Sequence, residues 1–176
     1  MIIKIIMKAV YNMDNTLFYT IIKNRDVSGY FALDDSSKED FLITLMYDFL
    51  SEKDLLDMNN VQKTLFLAMK LEDTCQADSL PSLSDEEDIF LSLPDIVTVC
   101  EELGAIKTAH CVKEFISILP DNEIPEWDWF FDKERSEIIE RIDGEISDYP
   151  DGLMKDLYIK YLSDLDRVSR LFDNLS

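Results

Sequence analysis

Residues 94–120 read PDIVTVCEELGAIKTAHCVKEFISILP, and this stretch decides the fold. Pro94 stands where the first turn of a helix tolerates proline, and Gly104 stands where helices commonly end in glycine. A second helical segment starts directly after Gly104 and is stopped by Pro120, because proline cannot continue a helix. The stretch therefore predicts two helices joined in a hairpin that turns at Gly104.

Helical signals extend from this hairpin towards the N-terminus. Ser36 followed by Glu39 has the spacing of a capping box, and the apolar residues after it recur at three- and four-residue intervals. Asn59 or Asn60 is the expected N-cap of a further helix with the same pattern. Only residues 16–22, TLFYTII, have strand character.

Towards the C-terminus, residues 133–149 and 151–172 predict one helix each, separated by Pro150. We find no repeat, low-complexity tract or linker in the sequence. The fold class is therefore predicted as all-α: a single-domain, multi-helix bundle with at most a short irregular or strand-like element near its N-terminus.

The chain is long enough for one domain with a hydrophobic core, and it is strongly acidic. Its 176 residues are 47% hydrophobic, which is too apolar for an acidic disordered tail. The 37 acidic and 17 basic residues give a formal charge of -20. Residues 1–75 carry a net charge of -4 and residues 76–176 a net charge of -16. We therefore expect one domain over residues 1–176 with a weakly charged first half and a strongly acidic second half.

The acidic half limits the choice of partner. Ten carboxylates and no basic residue lie between Lys70 and Lys107. A cationic partner relieves such self-repulsion, whereas nucleic acid and anionic membranes would be repelled. We therefore expect a basic protein as the partner, with no direct contact to nucleic acid or membrane.

The sequence predicts a cytoplasmic location. Lys4 and Lys8 interrupt the apolar stretch of the first twelve residues, which is unlike an export signal. No apolar run approaches the length of a membrane span. Cys75, Cys100 and Cys111 are odd in number and widely spaced, which indicates buried thiols rather than a disulfide framework.

Familiar patterns of catalysis and metal binding do not occur in the sequence. The single histidine, His110, has no second ligand at a zinc-site spacing, and four glycines are too few for a phosphate-binding loop. Residues 83–95 lack the glycine of a calcium-binding EF-hand loop. We therefore expect no catalytic, metal-binding or cofactor-binding residue, no cofactor and a non-enzymatic function. A hydrolase with paired carboxylates stays open as an alternative, because so acidic a chain always contains such pairs.

The acidic surface itself has two interpretations. Charge runs commonly form the solvated face of helices, and Glu137 with Arg141 has the spacing of an ordinary ion pair worth about 0.3 kcal/mol. Alternatively, carboxylates one helical turn apart are separated by about 5 to 6 Å, comparable to neighbouring phosphates along a strand. A helical bundle can therefore imitate the charge pattern of DNA.

Residues 124–140, IPEWDWFFDKERSEIIE, combine aromatic rings with carboxylates. Pro125 precedes a run of four rings: Trp127, Trp129, Phe130 and Phe131. If buried, these rings close one end of the bundle. If exposed, they anchor a partner, since tryptophan concentrates binding energy at interfaces. Both roles are compatible with a protein that binds another protein.

One predicted helix ends in L-G-A, the next begins with K-T-A, and Arg135 follows downstream. With these motifs, residues 99–170 resemble a family of bacterial DNA-mimic proteins, in which a helix ends in IGA, the next begins with K-T-A and a downstream arginine precedes a long terminal helix pair. The motif positions are occupied by Leu103, Gly104, Ala105, Lys107, Thr108 and Ala109. At the family's glycine-rich segment this chain has CQADSLPSLSDEEDIF instead. The resemblance implies a small, acidic, all-helical homodimer that sequesters a DNA-binding protein by imitating DNA.

Together these observations predict a DNA mimic that occupies the nucleic-acid-binding face of a basic partner. An immunity protein or antitoxin against a cationic nuclease would use the same carboxylates, and acidity that only solvates the surface is a further alternative. The expected partner-binding surface consists of carboxylates and two tryptophans: Asp85, Glu86, Glu87, Asp88, Asp95, Glu101, Glu102, Glu123, Glu126, Asp128, Asp132, Trp127 and Trp129.

Overall fold

The computed structural model describes residues 16–120 and 124–175, and it confirms the all-α, multi-helix fold. The interpretation of the first twelve residues lies outside these ranges. The helices before residue 80 are α1 (Thr16–Asn24), α2 (Val27–Phe31), α3 (Asp35–Leu45) and α4 (Asn60–Ala77). A π-helical turn (Met46–Leu50) continues α3, and a 3-10 turn (Leu55–Asp57) precedes α4.

A 3-10 segment (Leu80–Asp85) opens the second half of the described chain. The helices that follow are α5 (Glu87–Leu91), α6 (Leu93–Leu103), α7 (Ile106–Ile118), α8 (Trp127–Phe130), α9 (Lys133–Ser147), α10 (Met154–Tyr161) and α11 (Leu165–Leu171). Cys75, Cys100 and Cys111 are buried free thiols, as the sequence predicts.

The hairpin predicted around Gly104 is confirmed. α6 has Pro94 in its first turn and ends at Gly104, whose φ of 86° is a left-handed conformation that glycine adopts without strain. α6 and α7 form the most extensive contact between two helices of the described chain. Ala105 and Ala109 are buried at the start of α7, where small side chains let the backbones approach each other.

Helix α4 lies at the centre of the fold. It contacts α6, α9, α10 and α11, and also the 3-10 segment before α5. The predicted N-cap at Asn59 is confirmed: its side chain accepts hydrogen bonds from the amides of Val61 and Gln62. The side chain of Gln62 in turn accepts the amide of Asn59, which completes a capping box.

Gln62 also joins the start of α4 to the C-terminal end of the described chain. Its side chain is only 1% exposed, and Nε2 donates to the carbonyl oxygens of Leu171 at 2.9 Å and Asp173 at 2.6 Å. The last carbonyls of a helix have no amide partner within the helix itself. One buried amide therefore completes the N-terminus of α4 and the C-terminus of α11.

Two local predictions about the first half are wrong. Residues 16–22 belong to α1 and have no strand character, because Phe18, Ile21 and Ile22 lie at helical spacing and pack on the core. The N-cap of α3 is Asp34, whose carboxylate accepts the amide of Ser37 at 2.8 Å, and not Ser36. Packing on the core decides the first case. In the second case, the carboxylate of Asp34 provides a hydrogen-bond acceptor two residues before Ser36.

The prediction of one helix over residues 151–172 is also wrong. The segment breaks into α10 and α11, and residues 162–164 lie between them. The carboxylate of Asp164 accepts the amides of Asp166 and Arg167, so it starts a new helix instead of continuing the previous one. The break lets α11 contact both α2 and α4.

We predict that Gln62→Leu lowers the free energy of unfolding by about 2 to 4 kcal/mol, because it leaves buried carbonyl groups without a donor. Urea unfolding followed by circular dichroism measures the change. Gln76→Leu is the matched control, since Gln76 lies on the same helix and its amide donates to Ser147 at an exposed position. Equal losses in the two variants would contradict the role given to Gln62.

Candidate functional site

The aromatic run divides its rings between the core and the surface. Phe130 is 2% exposed and stacks on Phe115 of α7. Trp129 is half-buried and packs against the core. Trp127 and Phe131 are 40% and 69% exposed, and they stack on each other with their ring centroids 6.1 Å apart. This segment, residues 127–131, which we call the aromatic turn, therefore contributes to the core and also leaves two rings at the surface.

Arg135 holds this aromatic turn against the start of α9. Its guanidinium lies over the ring of Trp129 at 4.2 Å from the centroid, and its Nε donates to the carbonyl oxygen of Trp129 at 2.8 Å. Asp132 caps α9 by accepting the amide of Glu134. Arg135 thus lies in the first turn of α9 and links this helix to α8.

A hydrogen bond joins the aromatic turn to the acidic stretch before α5. Nε1 of Trp127 donates to Oδ1 of Asp85 at 3.2 Å, although the two residues are far apart in the sequence. Asp85 ends the 3-10 segment, which is fixed by the buried side chains of Leu80 and Leu83. The amide of Leu80 donates to Asp143 of α9 at 2.9 Å, so α9 supports both sides of this contact.

We call the exposed surface around this hydrogen bond the acidic aromatic patch. Glu87 and Asp88 follow Asp85 in the first turn of α5, and Glu126 and Asp128 flank Trp127. The patch consists of two rings and five exposed carboxylates: Trp127, Phe131, Asp85, Glu87, Asp88, Glu126 and Asp128. These carboxylates form no ion pair with any described residue.

Other carboxylates of the expected surface are paired with lysines. Glu86 contacts Lys70 and Asp95 contacts Lys63, each at 2.5 Å, and both lysines belong to α4. Lys63 and Lys70 are seven residues apart, so they lie on the same face of α4. The charge of these two acids is therefore partly neutralised within the chain.

The C-terminal end of α6 also has internal partners. Glu101 contacts Lys113 of α7 at 2.5 Å. Glu102 accepts hydrogen bonds from the hydroxyls of Tyr161 at 3.0 Å and Thr64 at 3.3 Å. The expected surface thus contains internally paired acids, namely Glu86 and three acids of α6, as well as the acidic aromatic patch.

Two further carboxylates of the expected surface lie outside both groups. Glu123 lies outside the described residues, and Asp132 serves as the cap of α9.

The expected pair of Arg141 with Glu137 is wrong, because Arg141 contacts Glu145 at 2.7 Å and also Glu114. Phe131 belongs to the aromatic run but not to the surface expected from the sequence. Its position four residues after Trp127 is the signal that indicates a contact between the two rings.

The K-T motif after the hairpin forms a clamp for a carboxylate of the same chain. The amides of Lys107 and Thr108 donate to Asp151 at 3.0 and 2.8 Å, and the hydroxyl of Thr108 donates to it at 3.0 Å. Ala105, the N-cap of α7, has no side-chain acceptor of its own. Asp151 therefore caps α7 from a distant part of the sequence.

Two carboxyls have raised pKa values, which is the feature that a carboxylate-dependent hydrolase requires. Burial raises the pKa of Glu72, which accepts the hydroxyl of Tyr158 at 2.9 Å. Burial also raises the pKa of Asp143 to about 6, although the amide of Leu80 opposes this shift. The cavity beside Glu72 has a volume of about 10 Å³, which is room for about one water molecule. Both carboxyls thus have structural partners, and the cavity beside Glu72 has no room for a substrate.

Comparisons of the chain with models of known families, with curated proteins and with solved structures gave no match. The resemblance to DNA-mimic proteins therefore stays a prediction from its motif residues. Within residues 16–120 and 124–175, no group of three or more His, Cys, Asp or Glu is placed to hold a metal ion. None of the helices in these ranges is long and apolar enough to cross a bilayer.

We predict that Asp151→Ala lowers the free energy of unfolding by about 1 to 2 kcal/mol, because α7 loses the acceptor for its first amides. Asp151→Asn keeps one acceptor and is expected to lose less. Asp148→Ala is the control, since Asp148 is exposed in the same connection and its carboxylate has no side-chain hydrogen bond or ion pair with the part of the chain that the structure describes. A loss in Asp148→Ala as large as in Asp151→Ala would argue against the clamp.

We predict that Asp143→Asn stabilises the protein at pH 8. The native state binds a proton at Asp143 more tightly than the unfolded chain does, so stability falls as the pH rises from about 4 to about 6, and the penalty is complete above that range. Asparagine removes the charge and keeps an acceptor for Leu80. Contact with water reduces the expected gain to about 1 kcal/mol.

This gain should shrink as the pH is lowered from 8 to 5 in urea unfolding experiments. The series ends at pH 5 because the isoelectric point is about 4.2. Glu140→Gln, an exposed neutralisation on the same helix, is the control for the change in net charge. A gain that does not depend on pH would refute the link to the pKa of Asp143.

Proposed function

We propose that this protein is a non-enzymatic, acidic binding protein that occupies the nucleic-acid-binding face of a basic protein partner. The acidic aromatic patch carries the proposal. Its five exposed carboxylates lack a cationic partner among the described residues, and the hydrogen bond between Asp85 and Trp127 joins their segments to the two exposed rings. Rings of this kind supply contact energy at interfaces, while the carboxylates select a cationic surface.

The charge distribution supports a partner that binds nucleic acid. Proteins bind nucleic acid by neutralising phosphates with lysine and arginine, so their binding faces are cationic. A chain with a net charge of -16 over residues 76–176 attracts such faces over distances near the Debye length, about 8 to 10 Å in physiological salt. Association is therefore expected to be fast at low salt and to weaken as salt is added.

The motif resemblance supports the narrower form of the proposal, a DNA mimic that acts on a transcriptional regulator. The same resemblance suggests a homodimer, which would present the patch twice and double the charge. An immunity protein that neutralises a cationic nuclease would use the same carboxylates. The identity of the partner therefore distinguishes the two forms.

The test is capture of partners from a lysate of the native cells at low salt, followed by elution in a salt gradient. A captured DNA-binding protein is then mixed with its DNA duplex, and displacement of the DNA is followed by fluorescence anisotropy. The patch variant combines Glu87→Gln, Asp88→Asn, Glu126→Gln and Asp128→Asn, and it keeps Asp85 so that the hydrogen bond to Trp127 remains. We expect this variant to displace DNA at least about tenfold less well.

The matched control neutralises the same number of exposed carboxylates outside the patch: Glu52→Gln, Asp54→Asn, Asp57→Asn and Asp173→Asn. Both variants have the same net charge, so a difference between them reports the position of the charge. Equal weakening in both would mean that only net charge matters. If the wild-type protein retains no basic protein at low salt, the acidity only solvates the surface and the proposal fails.

A further inference from the structure

Two aromatic rings of this chain are each covered by an arginine. Arg135 covers Trp129 at 4.2 Å, and its guanidinium lies 3.9 Å from the carboxylate of Asp132. Arg167 covers Tyr161 at 4.1 Å, and the hydroxyl of Tyr161 donates to Glu102. An arginine thus stacks on each ring, and a carboxylate contacts the guanidinium in the first case and the ring hydroxyl in the second.

Trp127 has a ring and a bonded carboxylate but no arginine of the described chain over the ring. Its ring is 40% exposed and donates through Nε1 to Asp85. No described lysine or arginine lies over its ring or pairs with Asp85, Glu126 or Asp128. The ring packs on Phe130 and Phe131, so its contacts are aromatic on one side and anionic around the rim.

The pair of exposed rings suits a planar cation. Trp127 and Phe131 stack nearly parallel, at 21° to each other, and both leave apolar ring surface open to solvent. A guanidinium is planar and weakly hydrated, so it stacks on such a surface while its N–H groups reach neighbouring carboxylates. An ammonium group is strongly hydrated and gains mainly from the negative charge.

We propose that Trp127 and Phe131, with Asp85, Glu126 and Asp128 at their rim, form a binding site for an arginine side chain of the basic partner. The inference rests on the proposed function, since it assumes that a cationic protein binds the acidic aromatic patch. Charge complementarity selects a cationic residue, and the stacked rings select arginine over lysine. The site thus makes recognition depend on the chemistry of one side chain as well as on net charge.

Two peptides of equal length and charge test this site: four repeats of Arg-Ser-Gly and four repeats of Lys-Ser-Gly. Each is titrated at low salt into the full-length protein labelled with ¹⁵N. The chain has two tryptophans, so two indole N–H signals are expected, and Trp127→Phe assigns them. We expect the arginine peptide to bind about three- to tenfold more tightly and to shift the signal of Trp127 more than that of Trp129.

Trp127→Leu should lower the affinity for the arginine peptide to that for the lysine peptide. The indole signal of Trp129 reports that this variant remains folded. Phe31→Leu is the matched control, because Phe31 is an exposed ring of α2 outside the patch, and the preference for arginine should persist in it.

The outcomes separate this inference from the proposed function. If both peptides bind equally well, and binding weakens in the patch variant but not in Trp127→Leu, the arginine site is refuted while the acidic surface still binds cations. A preference for arginine that survives in Trp127→Leu also refutes the site. If neither peptide binds at low salt, the proposed function fails and the arginine site fails with it.

Discussion

The burial of helix α4 is the constraint on which the rest of the structure depends. Polar groups in the interior must find hydrogen-bond partners, because an unpaired one costs about 1 to 3 kcal/mol. Gln62, Thr64 and Glu72 each point to a different part of the second half of the chain: the end of α11, Glu102 of α6 and Tyr158 of α10. These bonds join α4 to three of the helices that pack around it.

The same helix determines which carboxylates remain available to a partner. Its lysines at positions 63 and 70 contact Asp95 and Glu86, so acids next to α4 are partly neutralised. Exposed ion pairs of this kind contribute only about 0 to 1 kcal/mol to stability. Their larger effect is on the surface potential, because Glu86 and Asp95 are partly neutralised while the carboxylates of the acidic aromatic patch have no ion pair among the described residues.

The elements that could be predicted from the sequence are those with local signals. Pro94, Gly104 and Asn59 act within a few residues of their own position, and the hairpin and the start of α4 lie where these residues place them. The clamp at Asp151 and the hydrogen bond between Trp127 and Asp85 join segments far apart in the chain. Periodicity and spacing contain no information about such contacts. For the same reason, the sequence could not distinguish the paired carboxylates on α6 from carboxylates that face water.

The aromatic turn has both buried and exposed rings, and this combination favours binding. Phe130 is anchored in the core and Trp129 is covered by Arg135, so α8, the short helix that contains both, is held on two sides. Trp127 is held from a second direction by Asp85, and Phe131 packs against it. Ordering flexible side chains at an interface costs about 0.5 to 1.5 kcal/mol each, and rings that are already fixed avoid most of this cost. The buried half of the turn therefore prepares the exposed half for contact with a partner.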